Sequence, residues 1–486
     1  MIIPYLSDNK WMYLLKRNRS NMRSCLITVL SMVLFGCTVG PRYEPPITDI
    51  PCDWHSPISE GMQLEPAGDF VWWESLNDPT LNSLIERASN QNLDLYIAAT
   101  RILEARLEEK GGAAKLYPRI DASATYGHVQ YNKKLLNNFL DCSKQSNGKK
   151  NINFFEVGFD AEWEIDLFGM HAHEINALKA KIEASQEDFC HLWLTLSAEV
   201  AKNYIELRSL QLRLELLDKN INTQKDTVKL TESLMTAGFS DIINEKQTEE
   251  QMNILSAQKP QIELSINKAI HRLSILLGYN PGELFCELSQ PQMLPSLPCE
   301  KPIGIPSELL RRRPDIKKAE RDLAAATERI GSAIAALFPR FSLTGFIGDI
   351  ITSHANGFTW FAGPQLLAPI FNSKLLQQDV DFNKIKERQA FFEYQKTVLA
   401  ALEEVENAIA SFHYELGRNR NLEQALKASQ EAYQLTYQLY EKGLKNYFEV
   451  LVSNRALLAA QDLYFQSQSE LLYHYIALYK ALGGSW

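Results

Sequence analysis

Phe155-Glu156-Val157-Gly158-Phe159-Asp160-Ala161-Glu162-Trp163-Glu164-Ile165-Asp166 changes character at every step. Phe155, Val157, Phe159, Ala161, Trp163 and Ile165 fall on one side of an extended chain, and the acidic residues fall on the other, with the period of two that marks a strand. A soluble sheet accounts for one strand of this kind. A second strand, Ile120, Ala122, Ala124 and Tyr126 against Asp121, Ser123 and Thr125, repeats the pattern at a length near the ~10 residues of a membrane strand. Phe341 to Gly348 and Phe358 to Pro369 repeat the pair more weakly. Four strands cannot close a membrane barrel, because the smallest bacterial barrels need about eight and an open edge in lipid leaves backbone groups unpaired. The strands must therefore be pooled with copies of the same chain, three of which supply twelve. Glu156, Asp160, Glu162, Glu164 and Asp166 are then expected to face the lumen.

Working outward, the chain says the same thing twice. Leu116-Tyr117-Pro118-Arg119 closes a helical stretch and opens the first strand, and Leu337-Phe338-Pro339-Arg340 does so again. Leu230-Thr231, Gly238 and Leu276-Leu277-Gly278-Tyr279 reappear as Leu435-Thr436, Gly443 and Ala481-Leu482-Gly483-Gly484, always 205 residues later. Each half reads helix, strand, loop, strand, very long helix, tight turn, helix, which indicates an internal duplication. The loop from Gly127 to Phe154 is longer than its counterpart from Gly348 to Gly357 and rich in Asn, Lys and Ser, as expected of a loop outside the cell.

Phe168 to about Ala237 has no Pro, and at 1.5 Å per residue it predicts a helix roughly 100 Å long. Asn372 to about Lys442 is its twin. Leu214, Leu217, Ile221, Val228 and Met235 follow a coiled-coil frame, with Gln224 and Thr231 on the same seam. Shorter helices are expected over Leu76–Lys115, Asp241–Leu277, Ser307–Leu337 and Asn446–Leu482. Asp241–Leu277 and Ser307–Leu337 together match one long helix, so they are expected to stack end to end beside it. Gly238 and Gly443 are expected at the far tips, and Pro260 should kink its helix. Residues 281–306 and 37–75 are Pro-rich, and read as linkers or as a belt outside the helices.

Lys16, Arg17, Arg19 and Arg23 precede the apolar run Cys25 to Gly36, which is too short to span a bilayer and right for a signal-peptide core. Residues 1–36 are thus expected to be a signal peptide, with translation starting at Met1, Met12 or Met22. Leu34-Phe35-Gly36-Cys37 resembles a lipobox, which makes Cys37 the expected site of lipidation. No other segment reaches the ~20 apolar residues of a membrane helix. The formal charge of −9, without a basic run beyond the first residues, argues against nucleic acid. Of Cys52, Cys142, Cys190, Cys286 and Cys299, the last two share the linker and are candidates for a disulfide, with the connectivity left open.

At this point the residues match a known family. Cys37-Thr38-Val39-Gly40-Pro41-Arg42-Tyr43-Glu44-Pro45-Pro46, Trp72-Trp73, Leu81-Asn82-Ser83-Leu84-Ile85 and Asn92-Leu93-Asp94-Leu95 each look like one of its motifs. So do Leu310-Arg311-Arg312-Arg313-Pro314-Asp315-Ile316 and Phe338-Pro339-Arg340-Phe341-Ser342-Leu343-Thr344-Gly345. In this order the chain resembles the outer-membrane factor lipoproteins of the NodT type, relatives of OprM, CusC and TolC. The resemblance implies an α+β membrane protein: a homotrimer with a twelve-stranded outer-membrane β-barrel, four strands per protomer, continued by a periplasmic α-helical coiled-coil barrel. It also implies a passive conduit of a tripartite efflux system. The partners would be a periplasmic adaptor and an inner-membrane pump of RND type, and the alternative is the exit duct of type I protein secretion. Repeats are expected over 76–280 and 307–486, joined by the linker 281–306. The tip residues Gly238, Ser240, Asp241, Glu245, Lys442, Gly443, Lys445 and Glu449 are expected to dock the adaptor and close the gate, although the chain carries Asn244 where relatives place an Asp.

No Gly-rich phosphate loop, paired Cys-x-x-Cys, His-Glu-x-x-His or nucleophile elbow occurs, so no enzyme activity, cofactor or metal is expected. His171 and His173 point to different faces of a helix and are expected to be solvated.

Overall fold

The computed structural model describes residues 38–59, 61–63, 71–132, 149–238, 241–299, 301–352 and 356–484. The expected signal peptide, Cys37, Cys142 and Ser240 lie outside these residues. Two compact units divide the chain, and they cut across the sequence halves: one takes the described part of Met1–Pro45 with Leu103–Glu183 and Arg321–Phe392, the other Pro46–Ile102, Ala184–Glu320 and Glu393–Trp486.

The first unit carries a four-stranded antiparallel sheet in chain order, β1 (Arg119–Asn132), β2 (Lys149–Ile165), β3 (Arg340–Thr352) and β4 (Asn356–Leu367). Pairing runs without a slip from Arg119 opposite Glu162 to Asn132 opposite Lys149, and from Phe154 opposite Thr352 to Ile165 opposite Phe341. Because a strand's period is two, this unbroken register keeps the apolar residues of β2 from Phe155 to Ile165 on one face. At the loop ends β1, β2 and β3 run past the sequence estimate, β1 and β2 hydrogen-bonding well into the stretch expected to be loop, whereas β4 stops at Leu367, short of the expected Pro369.

The longer helices of the described residues are α1 (Pro79–Gln91), α2 (Leu93–Ala114), α3 (Met170–Thr236), α4 (Ile242–Leu276), α5 (Pro314–Ala335), α6 (Ser373–Glu441) and α7 (Tyr447–Ala481). No helix of the described residues is long and apolar enough to cross a membrane. The two long helices, α3 and α6, begin and end within about two residues of expectation, and α4 continues through Pro260.

Two expected helices are broken instead. Leu76–Lys115 divides at Asn92, which is extended (φ −67°, ψ 129°) and caps α2 by accepting from Asp94 N and Leu95 N at 2.9 and 3.1 Å. Ser307–Leu337 divides at Arg313, because Pro314 disfavours helical geometry in the residue before it. These breaks also correct the expected stacking. Asn92 Nδ2 donates to Leu276 O at 2.8 Å, so α4 continues into α2. Arg313 Nη1 donates to Ala481 O at 2.7 Å, so α7 continues into α5.

Arg313 is buried, forked onto Asp315 (3.0 and 2.7 Å) and paired with Glu404 at 2.8 Å. Burial opposes the charge on Asp315, yet the Arg313 fork holds its carboxyl below the usual carboxylate range. The turns leaving the two junctions match at the 205-residue offset: Gly278 N and Tyr279 N donate to Ile275 O and Ser274 O, and Gly483 N and Gly484 N donate to Lys480 O and Tyr479 O.

In the second unit a core around Trp72, Leu81, Ile205, Leu273, Phe412 and Tyr475 is closed by the two Pro-rich stretches. Trp54 Nε1 donates to Gly304 O (3.0 Å), and Glu406 accepts from His55 N and Ser56 N (2.7 and 2.9 Å). The linker is strapped to α3, where Arg208 donates to Gln290 O (2.8 Å) and Gln211 donates to Leu288 O (2.6 Å). The stretches therefore pack as a belt. Cys286 and Cys299 are exposed and free, without the disulfide that was a candidate.

Removing the Arg313 fork strands two carboxylates and the Ala481 carbonyl. Arg313→Ala is expected to lower unfolding stability by about 2–3 kcal/mol, read from urea unfolding of the helical circular-dichroism signal. An unchanged midpoint would show that the junction holds without it.

Candidate functional site

The sheet has two unlike faces, and the register states which side chains share each. One carries Ile120, Ala122, Ala124 and Tyr126 beside Ala161, Phe159, Val157 and Phe155, and continues through Trp163, Leu343 and Ile347 to Trp360. Large apolar groups stand open there: Ile120, Tyr126, Phe159, Phe358 and Trp360 are each more than half exposed. Trp163 fixes one end by donating Nε1–H to Leu116 O at 2.8 Å.

On the other face, Glu156 lies opposite Thr125 and Ile350, Asp160 opposite Asp121 and Phe346, Glu162 opposite Arg119 and Thr344, and Glu164 opposite Ser342. Arg119 pairs with Asp121 at 2.6 Å and so tempers the acidic face at its lower rim. Asp166 does not share this face. It lies past the end of β2, where its Oδ2 accepts from Ala172 N at 2.8 Å near the start of α3. Phe346 and its cross-strand partner Phe361 also belong here, and Phe346 went unread from the sequence. Phe346 is buried across Gly158 and Gly348, where added Cβ atoms would come within 2.7 Å of its ring, and it stacks on Phe361 at 6.4 Å. Its only sequence signal was the pair of glycines it covers.

At the helix tips, Gly238 (φ 76°) and Gly443 (φ 71°) take the left-handed conformation that the turn requires, each donating to the carbonyl three residues back. Asp241 occupies the cap position of α4 without a side-chain capping bond, whereas Asn446 caps α7 by accepting from Glu449 N at 3.1 Å. Lys445, in the turn before α7, pairs with Glu449 in the first turn of that helix, and Lys246 bridges Glu245 and Glu249 at 3.4 and 2.9 Å. Those bonds raise the Lys246 pKa. Glu245 and Glu449 thus find counter-charges locally, and Lys442 follows the last residue of α6.

Above the tips, a buried polar layer joins the two hairpins. Gln224 Nε2 donates to Thr248 O (3.1 Å) and to Tyr447 OH (3.4 Å), and Arg455 Nε donates to Gln251 Oε1 (3.3 Å). Gln224 and Thr231 were legible as polar members of an apolar seam. The tyrosines beside them were not. Tyr433, Tyr437 and Tyr440 pack on Tyr447, and burial raises all four hydroxyl pKa values, that of Tyr433 to about 12.

His171 and His173, expected in solvent, are both buried. His173 Nδ1 lies 2.6 Å from Glu328 Oε2, and His171 sits between Glu164 and Glu174 at 3.7 and 3.6 Å.

The capping bond of Asn446 supports the first turn of α7. Asn446→Ala is expected to weaken that turn by about 1 kcal/mol, seen as faster amide exchange over residues 447–451 with the core of α7 unchanged. Equal exchange in both proteins would assign the turn's stability to the tyrosine packing.

The model of the family described as outer membrane efflux protein matches residues 84–279 and 305–484. Nodulation protein T of Rhizobium leguminosarum bv. trifolii is 30% identical over 464 residues, covering 94% of this chain and 96% of its own length. The solvent efflux pump outer membrane protein SrpC of Pseudomonas putida is 28% identical over 472 residues, covering 94% and 97%. Among solved structures, the outer-membrane channel OprN superposes with a TM-score of 0.82 at 32% identity, covering 93% of this chain and 100% of that one.

Proposed function

The chain belongs to the outer membrane efflux protein family, and from that premise we propose that it works as a lipid-anchored homotrimer docked to a periplasmic adaptor and an inner-membrane pump. It is an outer-membrane channel for efflux with the TolC-like α+β fold.

The observation that carries the trimer is the open sheet with one exposed apolar face. An odd number of steps from β1 to β4 leaves the two edge strands antiparallel, so β4 of one copy can pair with β1 of the next. Two copies would give eight strands, a barrel whose interior side chains fill. Three copies give twelve and leave a lumen for Glu156, Asp160, Glu162 and Glu164. A second observation agrees. On α6, Leu375 and Phe382, then Ile385, Phe392 and Leu399, stand exposed at seven-residue steps, the spacing by which one helix packs on another. A lipid on Cys37 adds an anchor to a barrel that already holds the trimer in the membrane.

The tips form the adaptor dock and the gate, with Gly238, Asp241, Glu245, Lys442, Gly443, Lys445 and Glu449 at the entrance. The Lys445–Glu449 pair and the layer from Gln224 to Arg455 would hold the entrance closed until a partner competes for those bonds. Small molecules delivered by the pump are the cargo this reading supports.

Planar-bilayer recording of the purified channel tests this. Rings of carboxylates attract cations, so cation preference is expected, falling toward none in Glu156→Gln with Asp160→Asn and Glu162→Gln, while Asp166→Asn leaves it unchanged. In the same recordings Glu449→Ala with Lys442→Ala is expected to raise single-channel conductance. Anion preference in the wild type would reverse the facing of the strands, and unchanged conductance would move the gate away from the tips.

A further inference from the structure

Residues 38–45 lie against the start of α3 and against α5, all within the first unit. Val39 N donates to Phe168 O at 3.1 Å, Thr38 packs on Gly169, and Arg321 of α5 stands 5.6 Å over the ring of Tyr43. His173 is the centre of this contact. Its Nε2 lies 3.0 Å from Val39 O, and its Nδ1 lies 2.6 Å from Glu328 Oε2 of α5.

A carbonyl oxygen and a carboxylate both accept, whereas a neutral imidazole offers a single N–H. Both contacts are hydrogen bonds only when the His173–Glu328 pair holds one proton more than a neutral ring beside a carboxylate. The seat leaves the ring no room to shift. A Cβ on Gly331 would stand 2.5 Å from His173 Cε1, and one on Gly40 would stand 2.6 Å from the Gly331 Cα. The other titratable groups at this end of α3 are His171, held between Glu164 of β2 and Glu174, with Lys115 of α2 on Glu174 at 2.7 Å, and Asp166, which is engaged by Ala172 N.

We propose that His173 and Glu328 form a proton-held clasp that pins residues 38–45 to α3 and α5, and that loss of the shared proton releases the segment. On the reading that Cys37 carries a lipid, the clasp sets where the tether leaves the helices. The test below reads residues 38–45 directly and holds whether or not that lipid is present.

Amide exchange of residues 38–45 in the full chain in detergent, corrected for the intrinsic rate, is followed from about pH 5 to about pH 9, the range over which an imidazole titrates. Wild-type exchange is expected to accelerate on the order of tenfold across the range, as one charge-assisted bond is lost. In Glu328→Gln the amide donates to Nδ1 and leaves Nε2–H for Val39 O, so a neutral ring satisfies both contacts and protection should persist at every pH. In His173→Ala protection should be low at every pH, while the cores of α3 and α5 exchange as in the wild type. Wild-type protection that does not change with pH, or a Glu328→Gln protein that loses it as the wild type does, would overturn the clasp.

Discussion

A strand edge in hydrocarbon has no water to satisfy its N–H and C=O groups, and this constraint organises the rest of the molecule. The chain builds four strands with an exposed apolar face, and it leaves β1 and β4 with one unpaired edge each. Such a sheet is incomplete in lipid however well its own strands pair. Its unbroken register then matters twice. It keeps the apolar residues of β2 from Phe155 to Ile165 together on one side, and it delivers Glu156, Asp160, Glu162 and Glu164 together to the other.

The long helices raise a different problem, because α3 and α6 are flanked by segments about half their length. Each pair of short helices must be joined end to end without a covalent link, at the point where carbonyls and amides lack partners. The two halves reach the same solution with different chemistry. Asn92 offers an amide, its oxygen capping α2 and its nitrogen bonding to the end of α4. Arg313 offers a guanidinium, donating to the end of α7 while Asp315 and Glu404 balance its charge. A duplicated architecture therefore does not require duplicated side chains at its joints.

The features set by periodicity were legible in the sequence. β2 announced itself in twelve alternating residues, α3 and α6 by their length without proline, and the tips by glycines in matched positions. What stayed hidden depends on contacts between distant segments. Nothing local in Leu76–Lys115 says that Asn92 leaves the helix; its partner, Leu276, is 184 residues away. Phe346 read as one residue of a weak strand until the register placed it over Gly158, and Asp166 followed the alternation of β2 although the strand had already ended. His173 read as a surface residue because burial by residues 38–45 and α5 leaves no trace in the local pattern, and His171 did so although it sits between Glu164 and Glu174. The Lys445–Glu449 pair was nearer to legible, since a lysine just before a helix start lies within reach of a carboxylate in the first turn.

The central claim is that this open sheet is completed by two further copies of the chain. Native mass spectrometry of the protein released from membranes in mild detergent tests it most directly. The account predicts a single species of three chains. A species of one or two chains that still conducts in a bilayer would contradict it.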